Sequence, residues 1–184
     1  MGCGTIGAVA VTLRPRRPED VPVLAELLAE QQPRSRYPYR WPFPTGAEDF
    51  LVRSYEQVAW VAELDGQVVG HVMVGRVDRD GPGDVFRRET GSDDPAIVSV
   101  LFVGTAARGT GVGGLLLDAA VAWARAAGRV PVLDVVPLHG SALAVYEHRG
   151  WVRIGTARFD WLTDDQPDVV LMALPPFTPL GSAP

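Results

Sequence analysis

The sequence predicts a single α/β domain with more strands than helices, and three local patterns support that prediction. Residues 96–128 read as a buried strand, a glycine-rich turn and a helix. Residues 131–136 form a short apolar strand after that helix, so the two strands should be parallel. Asp65-Gly66 lies between two β-rich stretches, which is typical of an antiparallel hairpin.

Composition limits the class of protein. The chain has 184 residues, 47% of them hydrophobic and 21% charged, which fits one globular domain with a core. No apolar run could span a bilayer and residues 1–10 lack the pattern of a secretion signal, so we expect a cytoplasmic protein without a membrane partner. The net charge of -5 argues against a nucleic-acid partner, because phosphate binding needs clustered cations.

The N-terminal third of the chain predicts one strand, two helices and an aromatic segment. Residues 9–14 alternate as a strand does, and an acidic first turn then opens a helix whose apolar face reaches Leu28. Three prolines within residues 34–44 prevent regular structure there. Thr45 should cap a second short helix over residues 47–55.

The middle of the chain predicts the hairpin, a loop and the central helix. The hairpin strands cover residues 58–64 and 67–77. Residues 78–95 contain glycines and charges with little apolar content, which predicts a long loop. The helix after the glycine-rich turn should end at Gly128. At helical spacing, its expected buried residues are Val112, Leu115, Leu116, Ala119, Ala122 and Trp123.

The C-terminal third predicts a helix over residues 141–149 and strands over residues 151–160 and 169–174. Residues 175–184 contain four prolines and read as a loose tail, and residues 1–7 read as a flexible start. The sequence contains no internal repeat and no linker. We therefore expect one domain between these two ends.

The turn at residues 104–114 has the features of an anion-binding site. Its glycines let backbone N–H groups approach a ligand closely. The first N–H groups of the following helix are unpaired and lie at the positive end of the helix dipole. We therefore expect this turn to hold the pyrophosphate of a nucleotide-bearing cofactor.

The spacing Arg108-x-x-Gly111-x-Gly113, after a strand that ends at Val103, resembles the acyl-CoA signature of the GNAT acetyltransferase superfamily. The resemblance implies an acetyl-CoA-dependent N-acetyltransferase, in which a primary amine attacks the thioester directly in a ternary complex. It also implies that the turn cradles the CoA pyrophosphate and that the strand hydrogen-bonds the pantetheine arm. The cofactor-binding residues implied in this way are Leu101, Phe102, Val103, Arg108, Gly109, Thr110, Gly111, Val112, Gly113, Gly114 and His139.

The order of the predicted elements matches the GNAT fold over residues 8–174. The resemblance implies a central mixed, mostly antiparallel sheet of about seven strands with helices on both faces. Its parallel pair, residues 97–103 and 131–136, would be splayed around the cofactor. We expect no metal ion in the site.

Residues 142–151 are similar to the second motif of the family, a helix with a Tyr-Glu pair that ends at glycine. The resemblance implies that Tyr146 donates a proton to the CoA sulfur. This chemistry is reasonable because a thiol with a pKa of about 8.5 leaves as a thiolate, which an oriented hydroxyl can protonate. Seven residues earlier the family often has asparagine, whereas this chain has His139, which could donate a hydrogen bond in its place.

The group that accepts the proton of the amine is left open by the sequence. Many relatives place a glutamate on the central strand, but this chain has Ser99 between two valines there. The candidates are a water held by Ser99, His71 on the third strand, and Asp93 and Asp94 upstream. We take Ser99 and His71 as catalytic candidates together with Tyr146.

The acceptor site is expected, by the same resemblance, at the first helices and at the loop between the last two strands. The aromatic residues concentrated in these two regions are Tyr37, Tyr39, Trp41, Phe43 and Trp161. An aromatic wall suits a small-molecule or peptide amine that is cationic or aromatic. Alternatively, these side chains fix the proline-rich segment to the core or contact a second copy in a homodimer.

Two other functions are compatible with the sequence. Residues 109–114 also satisfy Gly-x-Gly-x-x-Gly, and Asp134 lies about twenty residues further on, as in an NAD(P)-binding oxidoreductase. However, only about fifty residues follow Asp134, too few for the second half of a doubly wound sheet. The other function is a GNAT-fold module that binds acyl-CoA without transferring the acyl group, since the strand carboxylate is missing.

Overall fold

Seven strands form one mixed sheet in the computed structural model, which describes residues 10–78, 81–137 and 140–177. The strands are β1 (Val11–Pro15), β2 (Glu56–Leu64), β3 (Gln67–Arg76), β4 (Ala96–Val103), β5 (Pro131–Val135), β6 (Val152–Ala157) and β7 (Val169–Ala173). Their order across the sheet is β1-β2-β3-β4-β5-β7-β6. The β4–β5 pair is parallel and the other neighbouring pairs are antiparallel. This confirms the predicted α/β class, with its mostly antiparallel sheet.

Helices cover both faces of this sheet, as predicted. They are α1 (Asp20–Ser35), α2 (Ala47–Leu51), α3 (Pro82–Thr90), α4 (Val112–Ala126) and α5 (Gly140–His148), with a short 3-10 turn at Thr105–Ala107. Leu24 and Leu51, from α1 and α2, pack on one face of the sheet, and Leu116 from α4 packs on the other. The sheet is therefore buried between two helical layers.

The hairpin prediction is confirmed. Asp65 and Gly66, between β2 and β3, have φ angles of 51° and 78°. Both lie in the left-handed region, which the tight turns that match the twist of paired strands require.

The residues between β3 and β4 are not the predicted long loop, because they contain α3. Pro82 begins this helix, where its missing N–H costs nothing, and Gly91, with a φ of 65°, ends it. Phe86 is fully buried against β5 and β7. The prediction was wrong because α3 is short. Few of its residues make apolar contacts, and the charged residues between them obscure the hydrophobic periodicity of a helix.

Two smaller helix predictions were also wrong. The second helix ends at Leu51 and follows Gly46, with no side-chain cap from Thr45. The buried residues of α4 are Val112, Leu116, Leu117, Ala120 and Ala124, whereas Leu115 is 44% exposed. Since α4 is apolar on most of its surface, its periodicity does not determine which side meets the sheet.

The beginning of the predicted C-terminal tail packs on the domain. Arg125 donates hydrogen bonds to the carbonyl oxygens of Leu174 and Pro176. Phe177 packs against the cluster around Phe86. Residues 178–184, like residues 1–7, lie outside the described part of the chain.

The two parallel strands separate after their first residues. β4 and β5 pair only where Ala96 meets Pro131 and Ile97 meets Val132. Beyond these pairs the edge of β4 that faces β5 has no strand partner among the described residues. The splay that the sequence predicts for this pair is therefore present, and it opens a cleft in the middle of the sheet.

Candidate active site

A large cavity lies in this cleft. Its volume is about 1070 Å³, enough for a small-molecule site. Its walls come from β4, β5, the aromatic segment after α1, the start of α3, and α5. The predicted site residues that line it are Tyr37, Tyr39, Phe43, Ser99, Leu101, Phe102, Val103, Arg108, Tyr146 and Trp161. Those that do not line it are Trp41, His71, Gly109, Thr110, Gly111, Val112, Gly113 and Gly114.

Strand β4 contains a bulge beside the cavity. The pairing of β3 with β4 shifts, so that Val72 faces both Val100 and Leu101. Val100 has a φ of 51°, which is unusual for a β-branched residue. Bulges redirect a strand, and strained backbone of this kind is often found at functional sites. The bulge therefore turns the backbone of β4 where the strand borders the cavity.

His71 holds this bulge in place from the buried side of the sheet. Its Nδ1 lies 2.9 Å from the carbonyl oxygen of Val100, and its Nε2 lies 3.2 Å from a guanidinium nitrogen of Arg16. Because a guanidinium can only donate, Nε2 accepts from Arg16 and Nδ1–H donates to Val100. Burial lowers the pKa of His71 to about 4, so the ring is neutral at physiological pH.

Arg16 is itself fixed by three partners. It donates to His71, to the carbonyl oxygen of Leu51 at 2.7 Å and to Glu56 at 2.7 Å. His71 is therefore one member of a buried chain of hydrogen bonds that runs from Glu56 to the bulge.

The turn before α4 offers unpaired backbone donors. Gly109 and Gly111 have φ angles of 78° and 86°, in the region that favours glycine. A Cβ atom on either glycine would meet nothing within 4 Å, so the surface of the turn is open. The N–H groups that donate to no described residue are those of Gly109, Gly111, Val112, Gly113 and Gly114. Such a set at a helix N-terminus can bind an anionic group, and it fits a diphosphate.

Arg108 connects this turn to the cavity. One of its guanidinium nitrogens donates to Oε1 of Gln31, which is buried in α1, at 2.8 Å. Thr110 closes the turn by donating from its hydroxyl to the carbonyl oxygen of Ala107 at 2.6 Å. His139, the remaining predicted cofactor residue, lies outside the described residues.

Tyr146 lies on α5 and reaches the cavity. Its ring packs edge-on against Trp151, with the ring centroids 5.9 Å apart. Burial, together with the negative charge of Asp134, raises the pKa of Tyr146 to about 12. The phenol therefore keeps its proton at physiological pH and can act as a donor.

Asp134 is a cavity residue that the sequence assigned only to the dinucleotide-binding alternative. It lies on β5, where its side chain is open to the cavity while protein surrounds it on the other sides. This burial raises its pKa, and the charge of Arg53 only partly opposes the effect. The signal that could have identified it is a lone carboxylate within the apolar run 132–136, since a buried strand rarely contains an unpaired charge.

Ser99 lines the cavity from β4, beside Tyr55. Burial raises the pKa of Tyr55, although a hydrogen bond with the Ser99 side chain opposes the shift. This tyrosine was also missed by the sequence reasoning, and no sequence pattern around it distinguishes it from a core residue.

The aromatic segment packs on the core and also borders the cavity. Phe43 stacks on Phe50 with ring centroids 4.6 Å apart, and Tyr37 meets Phe50 edge-on at 6.0 Å. Trp41 contacts Phe43 edge-on at 5.3 Å and lies behind this cavity wall. The segment therefore packs on the core and borders the cavity at the same time.

The aromatic side chains of the β6–β7 loop meet the same segment. Trp161 lies 6.1 Å from Tyr39 between ring centroids, and Gln166 donates to the Tyr39 hydroxyl. Tyr39, Trp41 and Trp161 also line a second, smaller cavity of about 490 Å³. The loop and the segment therefore form one side of the site together.

The upstream acidic residues do not reach the cavity. Asp94 pairs with Arg129 at 3.0 Å, and neither Asp93 nor Asp94 is among the lining residues. In the part of the chain that the structure describes, no group of His, Cys, Asp and Glu side chains could hold a metal ion. Nor do residues 10–78, 81–137 and 140–177 contain a helix that could span a membrane.

A mixed sheet that splays at its parallel pair, with a glycine-rich turn and a helix after the first of those strands, defines the GNAT fold. The chain belongs to the GNAT acetyltransferase family, because the acetyltransferase (GNAT) family model matches residues 23–151. The fold is not a doubly wound parallel sheet, so the dinucleotide-binding alternative loses its structural basis.

Solved structures show the same fold. The histone acetyltransferase HPA2 and related acetyltransferase from Corynebacterium glutamicum is 24% identical, with a TM-score of 0.64, over 92% of this chain and 98% of the other. The ribosomal-protein-S18-alanine N-acetyltransferase from Escherichia coli is 16% identical, with a TM-score of 0.66, over 95% and 99%. A GCN5-related N-acetyltransferase from Kribbella flavida is 24% identical, with a TM-score of 0.64, over 90% and 98%. No curated protein sequence matches the chain.

Proposed function

We propose that this chain is an acetyl-CoA-dependent N-acetyltransferase that acts on a primary amine by direct attack in a ternary complex. The observation that carries the proposal is that one cavity is lined by the free edge of β4, by Tyr146 and by Asp134. A single space thus offers an edge for an extended thioester, a proton donor and a proton acceptor. Membership of the family supports the same class of reaction.

The reaction sets the requirements of the site. The amine nitrogen bonds to the thioester carbonyl carbon, and the carbon–sulfur bond breaks. From the neutral amine, one proton leaves the nitrogen and one reaches the departing sulfur, so the products are an amide and a free thiol. An amine that arrives as an ammonium ion first gives up its additional proton. The protein must accept one proton and supply another.

The turn at residues 108–114 would hold the CoA pyrophosphate. Its five N–H groups that donate to no described residue and the positive end of α4 favour an anion, and Arg108 adds a cation at the edge of the cavity. The unpaired edge of β4 offers backbone groups to the pantetheine arm. When bound, acetyl-CoA supplies the activated acetyl group.

Tyr146 would donate the proton to sulfur. Its raised pKa keeps the hydroxyl protonated before the reaction, and its contact with Trp151 fixes the ring. A positioned general acid of this kind contributes roughly 10²- to 10⁴-fold to a rate.

Asp134 would accept the proton from the amine, directly or through water. An alkyl amine with a pKa of about 10.4 is mostly protonated at neutral pH, and deprotonating it costs roughly 4 kcal/mol. A carboxylate whose pKa is raised by burial is a stronger base than an exposed one, so it recovers part of this cost. Ser99, beside Tyr55, would hold the intervening water.

We assign His71 a positioning role in place of the catalytic one expected from the sequence. Both of its ring nitrogens are bonded, to Val100 and Arg16, and it does not line the cavity. By holding the bulge it would orient the backbone N–H groups that follow Val100 toward the oxygen of the reacting carbonyl.

The acceptor amine would enter between the aromatic segment and the β6–β7 loop. The wall residues there are Tyr37, Tyr39, Phe43 and Trp161, with Trp41 behind them. An aromatic wall favours apolar and cationic groups, so we propose a small-molecule or peptide amine as the acceptor.

Two measurements test the proposed function. Calorimetric titration with CoA should give saturable binding, and incubation of acetyl-CoA with a panel of amines should release thiol in proportion to the amide formed. The panel should include amino acids, peptide N-termini, polyamines and amino sugars. Binding without thiol release for any amine would contradict the transferase and favour the acyl-CoA-binding module.

A further inference from the structure

Arg53 places on the wall of the cavity a guanidinium that has no hydrogen-bond or ion-pair partner among the described residues. It follows α2 and precedes β2, and it lines the cavity together with Asp134. Its Nε is buried and donates no hydrogen bond to any described residue. Most buried polar groups have a partner, and a buried donor left without one is destabilising. No other nitrogen of this guanidinium donates to a described residue either, so a cation on the cavity wall lacks an acceptor, which points to a ligand.

This guanidinium is held from one side by Phe50, on α2. Its central carbon lies 4.6 Å from the ring centroid of Phe50, which in turn stacks on Phe43. A cation–π contact of this kind uses none of the N–H donors of the guanidinium. Arg53 is thus held against Phe50, while the two terminal nitrogens of its guanidinium donate to no described residue and can meet a ligand in the cavity.

None of the described acidic residues forms an ion pair with Arg53. Asp134 is close enough for the charge of Arg53 to affect its titration, yet the two do not form an ion pair in the structure. Arg108, another cation on the wall, already donates to Gln31. The cavity thus presents a carboxylate and an unpaired guanidinium to the same ligand.

We propose that Arg53 binds a carboxylate on the acceptor, so that the acceptor class is an amine that also carries a carboxylate, such as an amino acid or a short peptide. This inference rests on the proposed function. A guanidinium fork matches the two oxygens of a carboxylate, and Asp134 complements the amine at the other end. Arg53 faces the acceptor because it lies with the aromatic wall on the α2 side, whereas the free N–H groups that suit CoA phosphates precede α4.

The test compares matched acceptors that differ only in the carboxylate. We would measure kcat/KM for free amino acids with large apolar side chains and for dipeptides, each against its carboxamide, in wild type and in Arg53→Gln. The wild type should prefer the acid by on the order of 10- to 100-fold, the usual strength of a hydrogen bond to a charged group. Arg53→Gln should bring the ratio near one, and Arg53→Lys should retain part of it.

Arg88→Gln is the matched control. Arg88 lies on α3, its side chain is 61% exposed and it does not line the cavity, so this variant loses the same charge elsewhere. It should keep the wild-type ratio, and CoA titration should show that each variant is folded. A comparison of the free amino acids with the dipeptides then shows whether the site prefers the carboxylate of an amino acid or that of a peptide.

The outcomes separate the two proposals. If the kcat/KM values of acid and carboxamide are nearly equal in wild type, or if the preference for the acid persists in Arg53→Gln, the inference about Arg53 is overturned. Amide formation in the same assays would still support the transferase. If Arg53→Gln does not fold, the wild-type ratio alone decides. Thiol release with none of the amines would overturn the proposed function and this inference with it.

Discussion

Burial gives three titratable side chains of this protein different properties. It raises the pKa of Tyr146 to about 12 and also raises the pKa of Asp134, whereas it lowers the pKa of His71 to about 4. The physical cause is the same, because each shift disfavours the charged form away from water. Tyr146 therefore keeps its proton at neutral pH, Asp134 is a stronger base than an exposed carboxylate, and His71 remains a neutral ring with fixed hydrogen bonds.

Tyr146→Phe tests whether the hydroxyl of Tyr146 is the proton donor. The variant keeps the ring that packs on Trp151 and removes only the hydroxyl. We expect kcat to fall by about 10²-fold or more, while the CoA dissociation constant changes by less than about twofold. Steady-state thiol release and calorimetry measure the two quantities. An unchanged kcat would remove this assignment.

Asp134→Asn tests the proton acceptor. Asparagine has a similar shape but cannot take up a proton, so we expect kcat/KM near neutral pH to fall by roughly 10²-fold. In wild type, the acidic limb of the pH–rate profile should lie above the ordinary carboxyl range, because burial raises this pKa. The variant should lack that limb, whereas Asp118→Asn, on the surface of α4, should keep it. If the acidic limb of the pH–rate profile persists in Asp134→Asn, the limb belongs to the titration of another group.

At the scale of elements, the site depends on two backbone features that border the cleft. The bulge in β4 places a β-branched residue, Val100, at a φ of 51°. The turn before α4 places Gly109 and Gly111 at positive φ and leaves five N–H groups without a described acceptor. The φ of Val100 is unfavourable and is maintained by the surrounding fold, whereas the turn uses conformations that glycine adopts readily.

Gly111→Ala tests the turn. Its φ of 86° is costly for alanine although there is room for a Cβ, so the turn should relax and CoA affinity should fall on the order of 10-fold. Gly128→Ala is the matched control, since Gly128 has a φ of 70° and equally open space at the other end of α4. Both variants should lose about 1 kcal/mol of stability, but only Gly111→Ala should bind CoA more weakly in calorimetry. Equal CoA affinities in the two variants would argue against the turn as the phosphate site.

At the scale of the whole molecule, the buried hydrogen-bond chain links stability to the cleft. Glu56, Arg16 and His71 connect the start of β2 to the bulge in β4. The hydrogen bonds that hold the bulge beside the cavity therefore also contribute to the stability of the fold. We expect acid to weaken these hydrogen bonds and to lower the free energy of unfolding.

The pH dependence of unfolding tests this link. The pKa of His71 is about 4 in the folded protein, against an ordinary value of 6.5 for a solvated histidine, so the unfolded chain binds the proton more readily. The contribution of neutral His71 is complete above about pH 6.5 and is lost as the pH falls toward 4, a difference of roughly 3 kcal/mol. His71→Gln, which cannot titrate, should show a weaker dependence in this window by urea unfolding. Equal slopes for wild type and variant would contradict the buried neutral ring.

Local patterns in the sequence were sufficient for much of the fold. The Asp65-Gly66 turn, the strand before Gly104 and the helix that follows Gly111 depend on φ preferences and periodicity, which neighbouring residues determine. The parallel pair followed from the helical crossover between its strands. Helix α3 was missed because it is short and depends on Phe86 meeting distant strands.

By itself, the sequence determined the class of fold, the glycine-rich turn and the candidate tyrosine on α5, because each is encoded in consecutive residues. Only the tertiary structure showed that Asp134 and Arg53 line one cavity and that His71 lies outside it. Strands β4 and β5 separate after two residue pairs, and the side chains that face the resulting space come from segments far apart in the chain. Which side chains share that space depends on strand register and on the direction in which each strand leaves the sheet, and these are properties of the packed molecule.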